Sequence, residues 1–204
     1  QPARAAGAWP ARSHARQMLV LEGCVQPAMA PNINAATARV LDAFGVQLIA
    51  APKAGCCGAV RYHLNDQAAG LDDMRRNIDA WWPWVERGDV EAIVMTASGC
   101  GVTVKEYGHL LAHDEAYAAK AGRISMLTRD LSEILPEFEE QIAAKLKGRI
   151  GKRVAYHPPC TLQHGQQIRG KVEGLLRAAG VDVTLCAESH LCCCLLYTSP
   201  SPRD

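Results

Sequence analysis

A chain of 204 residues, 49% hydrophobic and 21% charged, has the makeup of a soluble globular protein with room for one large core or two small ones. Its 22 Lys and Arg against 21 Asp and Glu leave a formal net charge of +1, and neither sign gathers into a stripe able to track phosphates, which argues against nucleic acid as a partner. No apolar run approaches the roughly 18 residues that a membrane-spanning helix needs, so direct membrane insertion is not expected either.

Residues 1–16 carry Arg4, Arg12 and Arg16 and no acidic residue, and read as a linker. The apolar run 17–21 predicts a buried strand that delivers Cys24 just past its end. Ile33, Thr37, Val40, Leu41 and Phe44, closed by Gly45, predict an amphipathic helix. Residues 46–50 predict the next strand, which reaches Cys56 and Cys57 through the loop A-P-K-A-G. Leu71, Met74, Ile78, Trp81, Trp82 and Val85 mark a helix ending near Gly88, and 91–96 a strand that leads Cys100 into a further helix through Leu111. The apolar face of 131–147 predicts a helix with Pro136 as its break point. A strand over 153–156 then precedes Cys160, and Ile168, Val172, Leu175, Leu176 and Ala179, closed by Gly180, predict one more helix. Residues 195–204 abandon all periodicity and read as a non-native tail.

Alternating strands and helices of this kind imply an α/β fold, with parallel sheets flanked by helices and ligands held in the loops after strands. The cysteines occupy those loops. Cys24 and the doublet Cys56-Cys57 are separated by 31 residues, and so are Cys160 and the doublet Cys192-Cys193. The second set lies 136 residues after the first, and the second helical stripe lies 135 after the first. A doublet, an interval and a helical face that all recur imply two tandem related units, of which the second is truncated.

Nine cysteines without a secretory signal point to metal or redox chemistry rather than a disulfide scaffold. An iron-sulfur cluster wants several thiolates from separate loops, and the glycines in A-G-C-C-G and S-G-C-G let backbone approach it. A single zinc fits less well, because adjacent cysteines strain to reach one tetrahedral ion. A metal-free thiol redox centre is the other alternative. His157 and His190, close to cysteines, are candidate ligands or hydrogen-bond partners but read first as loop residues satisfied by backbone. His164, His63, His109 and His113 read as surface or packing residues, and Cys186 as a small buried hydrophobe.

The strings L-E-G-C-V-Q-P-A (21–28), N-I-N-A-A-T-A-R-V-L-D (32–42), A-G-C-C-G (54–58), N-I-D-A-W-W-P (77–83), T-A-S-G-C-G-V (96–102), V-K-E-Y-G-H-L-L (104–111) and C-T-L-Q-H-G-Q (160–166) carry a family resemblance. Over about residues 17–193 the chain resembles the iron-sulfur subunits of bacterial glycolate oxidases, whose paired cysteine-rich CCG domains are related to those of heterodisulfide reductases. The resemblance implies an electron-transfer subunit without flavin, working beside flavin-bearing glycolate oxidase subunits that hold the FAD and passing electrons towards an acceptor such as quinone. It implies a 4Fe-4S-type cluster, cubane or non-cubane, and a cytoplasmic location that is at most peripheral to the inner membrane. Carried over residue by residue, the ligands are Cys24, Cys56, Cys57 and Cys100 for the first site and Cys160, Cys192 and Cys193 for the second. It also implies a domain plan: 1–16 a linker from an N-terminal ferredoxin-type domain, 17–150 the first CCG domain, and 151–194 the start of the second. Cys194 departs from the pattern by standing where the second C-C-G would have glycine. Relatives that serve lactate utilisation, and thiol/disulfide reductases of the heterodisulfide reductase type, are the alternatives.

Overall fold

The computed structural model describes residues 5–146 and 151–191. Two compact units make up the chain, Gln1–Asp130 and Leu131–Asp204.

In the first unit the continuous apolar run of β1 (Arg16–Val20) is what a strand covered on both faces requires, and its Met18, Leu19 and Val20 are buried. It sits inside a four-stranded sheet ordered β2-β1-β3-β4, with β2 Val46–Ala50, β3 Ile93–Met95 and β4 Thr128–Asp130. Every pairing is parallel: Arg16 faces Val46, Leu19 faces Ile93, and Ile93 faces Thr128. β4 reads T-R-D, too short and too polar to be seen in the sequence; it is a strand because β3 offers it an edge.

Helices α1 (Gln26–Met29) and α2 (Asn32–Asp42) connect β1 to β2, and α3 (Ala59–His63) and α4 (Gln67–Arg87) connect β2 to β3. α5 (Ser98–Lys105), α6 (Tyr107–Leu110) and α7 (Ala118–Leu127) lead on to β4. α4 starts at Asp66, whose carboxylate caps the Ala69 amide, and stops at Gly88 in the left-handed conformation. Its buried face includes Met74, Asn77, Ile78, Trp81 and Val85, whose apolar members pack with Leu19, Ile93, Tyr107 and Ile124 into one core. Each large apolar side chain fully buried there contributes about 1.5–3 kcal/mol.

α2 corrects the expected stripe. Its buried residues are Asn34, Ala35, Thr37, Ala38 and Leu41, whereas Ile33 and Val40 are 36% and 40% exposed. The small Ala35 and Ala38 let the helix lie close to the sheet, and Asn34 is tied down by hydrogen bonds, so the helix is rotated from the face that hydrophobicity alone selects.

The second unit contains α8 (Leu131–Ile134), a 3-10 turn at Leu135–Phe138 that holds Pro136, and α9 (Glu139–Leu146). It continues with β5 (Arg153–Tyr156), a π-helical turn at Thr161–Gly165, α10 (Lys171–Ala178) and β6 (Asp182–Leu185). β5 and β6 are parallel, so strand, helix and parallel strand recur as the repeat implied. The sequence reading closes the first domain at 150; the compact division falls after Asp130, because 131–146 packs on α10. Among the described residues no helix is long and apolar enough to cross a membrane.

Candidate metal centre

β1 leads on to β2 on one side of the sheet and its neighbour β3 leads on to β4 on the other, so the connections leaving the carboxyl ends of β1 and β3 diverge. A crevice opens at such a switch point, and it is where open α/β sheets usually hold ligands. Cys24 lies in the loop after β1, Cys56 and Cys57 in the loop after β2, and Cys100 in the first turn of α5 just after β3.

These four thiols form one chain of neighbours. Cys24 hydrogen-bonds Cys56, Cys56 hydrogen-bonds Cys57, and Cys57 hydrogen-bonds Cys100. Exposure falls along it, from the exposed Cys24 through the half-buried Cys56 to Cys57 at 3%, with Cys100 half-buried. Among the described residues no three His, Cys, Asp or Glu side chains converge so as to hold a single metal ion. The donor set is instead spread out and entirely sulfur.

The thiols do not titrate alike. The Cys100 thiol donates to Cys57, and with help from backbone amides this outweighs burial and lowers Cys57 to about 6. Burial, with the neighbouring Cys24 and Cys57, raises Cys56 to about 11. Cys100 is pushed up first because its proton is held by Cys57 and then by burial. The site thus favours a thiolate on Cys57, with protonated Cys56 and Cys100 beside it.

Two residues that sequence reasoning did not single out hold the doublet. Asn77, fully buried on α4, accepts from the Gly55 amide at 2.8 Å and donates to the Cys56 carbonyl at 2.7 Å. Tyr107, fully buried at the start of α6, donates its hydroxyl to the Cys57 carbonyl at 2.8 Å and lies 3.1 Å from the Asn77 amide nitrogen. Burial pushes the phenol up, so it stays a neutral donor. Arg76 adds a contact to the Cys56 carbonyl at 3.3 Å while pairing with the buried Asp73. The available signal was a polar Asn77 on the apolar face of α4, in register with Met74, Ile78 and Trp81.

A second clasp joins the loops of Cys24 and Cys100. The Thr96 hydroxyl lies 3.0 Å from Gln26 Oε1 and 2.7 Å from Asn34 Oδ1, sharing its one proton between them. Asn34 also donates to the Glu22 carbonyl at 3.1 Å, and Gln26 to the Thr96 carbonyl at 3.4 Å.

In the second unit Cys160 is half-buried at the start of the π-helical turn, after β5. Gln163 donates to the carbonyls of Pro158 at 3.1 Å and Ser189 at 2.8 Å, and His164 Nε2 meets the His190 carbonyl at 2.8 Å. The loops after β5 and β6 are therefore tied together. Cys192 and Cys193, expected to join Cys160, lie outside the described residues, as does Cys194. Cys186 is exposed, which corrects its reading as a buried hydrophobe: it follows the last residue of β6, and its backbone amide donates to Tyr156 while its side chain faces solvent.

Known proteins resemble the stretches of the chain that carry these cysteines. A family model described as "Cysteine-rich domain" (CCG) matches residues 18–105 and 154–201, more than half of the chain. The "Glycolate oxidase iron-sulfur subunit" of Escherichia coli is 53% identical over 184 residues, covering 90% of this chain and 44% of that protein. The "Probable glycolate oxidase iron-sulfur subunit" of Bacillus subtilis is 27% identical over 180 residues, 87% of this chain and 39% of that protein. "Lactate utilization protein A" of Bacillus licheniformis is 25% identical over 173 residues, 83% of this chain and 68% of that protein. The chain spans less than half the length of the two glycolate oxidase relatives.

Proposed function

The chain belongs to the CCG cysteine-rich domain family, and from that premise we propose that it is an iron-sulfur electron-transfer subunit of a complex that oxidises a 2-hydroxy acid, with glycolate the favoured substrate. Cys24, Cys56, Cys57 and Cys100 hold a cluster of the 4Fe-4S type, and Cys160, Cys192 and Cys193 belong to the corresponding site of a second tandem domain. When bound, the cluster supplies one-electron redox chemistry. The flavin and the hydroxy acid belong to partner subunits, and the electrons leave towards an acceptor such as quinone. The relatives' names support the hydroxy-acid assignment.

The observation that carries this reading is the contiguous all-sulfur set, delivered by three loops to the crevice at the switch point. Soft thiolates spread over several ångströms suit a multi-iron object better than one ion. The protein's own contribution is to supply these ligands, to keep water from the Cys57 end, and to leave the Cys24 end near the surface where a partner can approach. A thiol/disulfide exchange enzyme is less well supported: its nucleophile would be the thiolate, and Cys57 is 3% exposed, out of reach of a disulfide substrate.

The test is iron and acid-labile sulfide per chain after anaerobic purification, with and without Cys56→Ser, followed by electron paramagnetic resonance. Roughly four irons in the parent chain, lost in the variant, are expected for a cluster of this type. Negligible iron in a folded parent chain overturns the reading.

A further inference from the structure

Three consecutive peptide units run through the doublet, and all are trans. In a planar trans peptide the C=O and N–H point in opposite directions, so whatever anchors the oxygen aims the hydrogen. The Cys56 carbonyl is anchored by Asn77, which fixes the direction of the N–H of the same peptide unit, on Cys57. The Cys57 carbonyl is anchored by Tyr107, and the paired N–H, on Gly58, bonds the Cys56 sulfur. The Gly58 carbonyl is anchored by the Tyr62 amide in α3, and the paired N–H, on Ala59, bonds the Cys57 sulfur. Each unit has its oxygen fixed in the fold, and the units that carry the Gly58 and Ala59 amides have their hydrogens on a thiol of the site.

We propose that Asn77 and Tyr107 are positioning residues that act through these peptide units, Tyr107 turning the Gly58 amide onto the Cys56 sulfur and Asn77 holding the Cys56 carbonyl and the Tyr107 hydroxyl in place, and so setting the electron affinity of the group those sulfurs hold. Both side chains are fully buried. Between them they make four hydrogen bonds within Gly55–Cys57 and to each other. An N–H donor on a sulfur favours the state with one more electron, because it stabilises added negative charge. The orientation therefore raises the reduction potential. The potential part of this inference rests on the cluster reading; the orientation of the amides does not.

Tyr107→Phe keeps the ring and removes only the hydroxyl. In cluster-free protein followed by nitrogen-15 NMR, the Gly58 amide proton is expected to shift upfield and to exchange faster than in the parent chain. In cluster-loaded protein the midpoint, followed by electron paramagnetic resonance, is expected to move to more negative potential. A folded variant with the Gly58 amide and the midpoint both unchanged overturns the proposal, even if its melting temperature falls, since lowered stability alone is what a merely structural role predicts. Where Tyr107→Phe does not fold, Asn77→Asp serves: it keeps the acceptor for Gly55, removes the donor to Cys56, and draws the Tyr107 hydroxyl to its carboxylate, so the Cys57 and Gly58 amides are both expected to move. Absence of iron from the parent chain sinks the cluster reading and leaves the NMR arm to decide the positioning role; iron with an unmoved Gly58 amide sinks the positioning role alone.

Discussion

Gly58 lies so close to Gly70 that a β-carbon on it would fall 2.6 Å from the Gly70 carbonyl oxygen and 3.2 Å from Met74 Cγ. Its φ of 91° is also one that side chains rarely adopt. The glycine after the cysteine doublet is thus demanded twice, by conformation and by the approach of α3 to α4. Gly58→Ala is expected to cost about 1–2 kcal/mol for the left-handed backbone and a further 1–3 kcal/mol for the clash, because the atom it meets is backbone and cannot rotate away. Urea unfolding measures the sum. A loss under 0.5 kcal/mol, on the order of an ordinary surface change, would show that the two helices separate at little cost.

In cluster-free protein, stability should depend on pH in two opposite arms. Cys57 titrates at about 6 in the fold against an ordinary thiol value of 9.0, so between those values the unfolded chain binds the extra proton and stability rises with pH. It is lost again as pH falls through about 6. Cys56 is raised to about 11, so between 9.0 and about 11 the folded chain binds the extra proton and stability falls. Cys100, also raised, works in the same direction. Melting temperature against pH in the parent chain and in Cys57→Ser separates the arms: the variant should lose the rise between about 6 and 9.0. The same rise in both would rule out a Cys57 thiolate.

Much of this architecture is legible in the sequence, because β1, β2, β5 and the helices at 32–42, 67–87 and 171–178 announce themselves by apolar runs or stripes. The repeated cysteine spacing likewise marks Cys24, Cys56 and Cys57, while Cys100 is added only by the family resemblance; in the fold the four thiols are neighbours. What escapes notice is set by tertiary contact. β4 exists through pairing with β3, α3 is a single turn directed by the Gly58 conformation, and α2 is rotated by the bonds of Asn34. Asn77 and Tyr107 escape for the same reason: their value lies in which carbonyls they meet, and those are 21 and 50 residues away in sequence.

The Thr96 hydroxyl stands between the loops of Cys24 and Cys100, so its removal tests whether the clasp fixes their separation. Thr96→Val preserves shape but leaves Asn34 Oδ1, on a residue only 5% exposed, without this partner. A stranded buried acceptor costs about 1–3 kcal/mol. Hydrogen exchange should also quicken at amides of residues 22–26 more than in β2, which the clasp does not touch. Uniform quickening across the unit would mean general destabilisation, with no special coupling between the two loops.

Thiol labelling sets reactivity against access within the same site. Cys57 is the thiol whose ionisation the site favours, yet it is 3% exposed, whereas Cys24 is open to solvent. A reagent must reach the sulfur before ionisation matters, so burial should win. In folded, cluster-free protein treated briefly with iodoacetamide at about pH 7, mass spectrometry of peptides should find Cys24 modified well before Cys57, with the order disappearing in urea. Exposed Cys186 serves as an internal standard for an open thiol. Loaded with iron and sulfide, the protein should protect Cys24 while Cys186 still reacts. Cys57 labelling first in the folded state would mean that the crevice opens readily, and would restore the thiol-exchange chemistry that its burial disfavours.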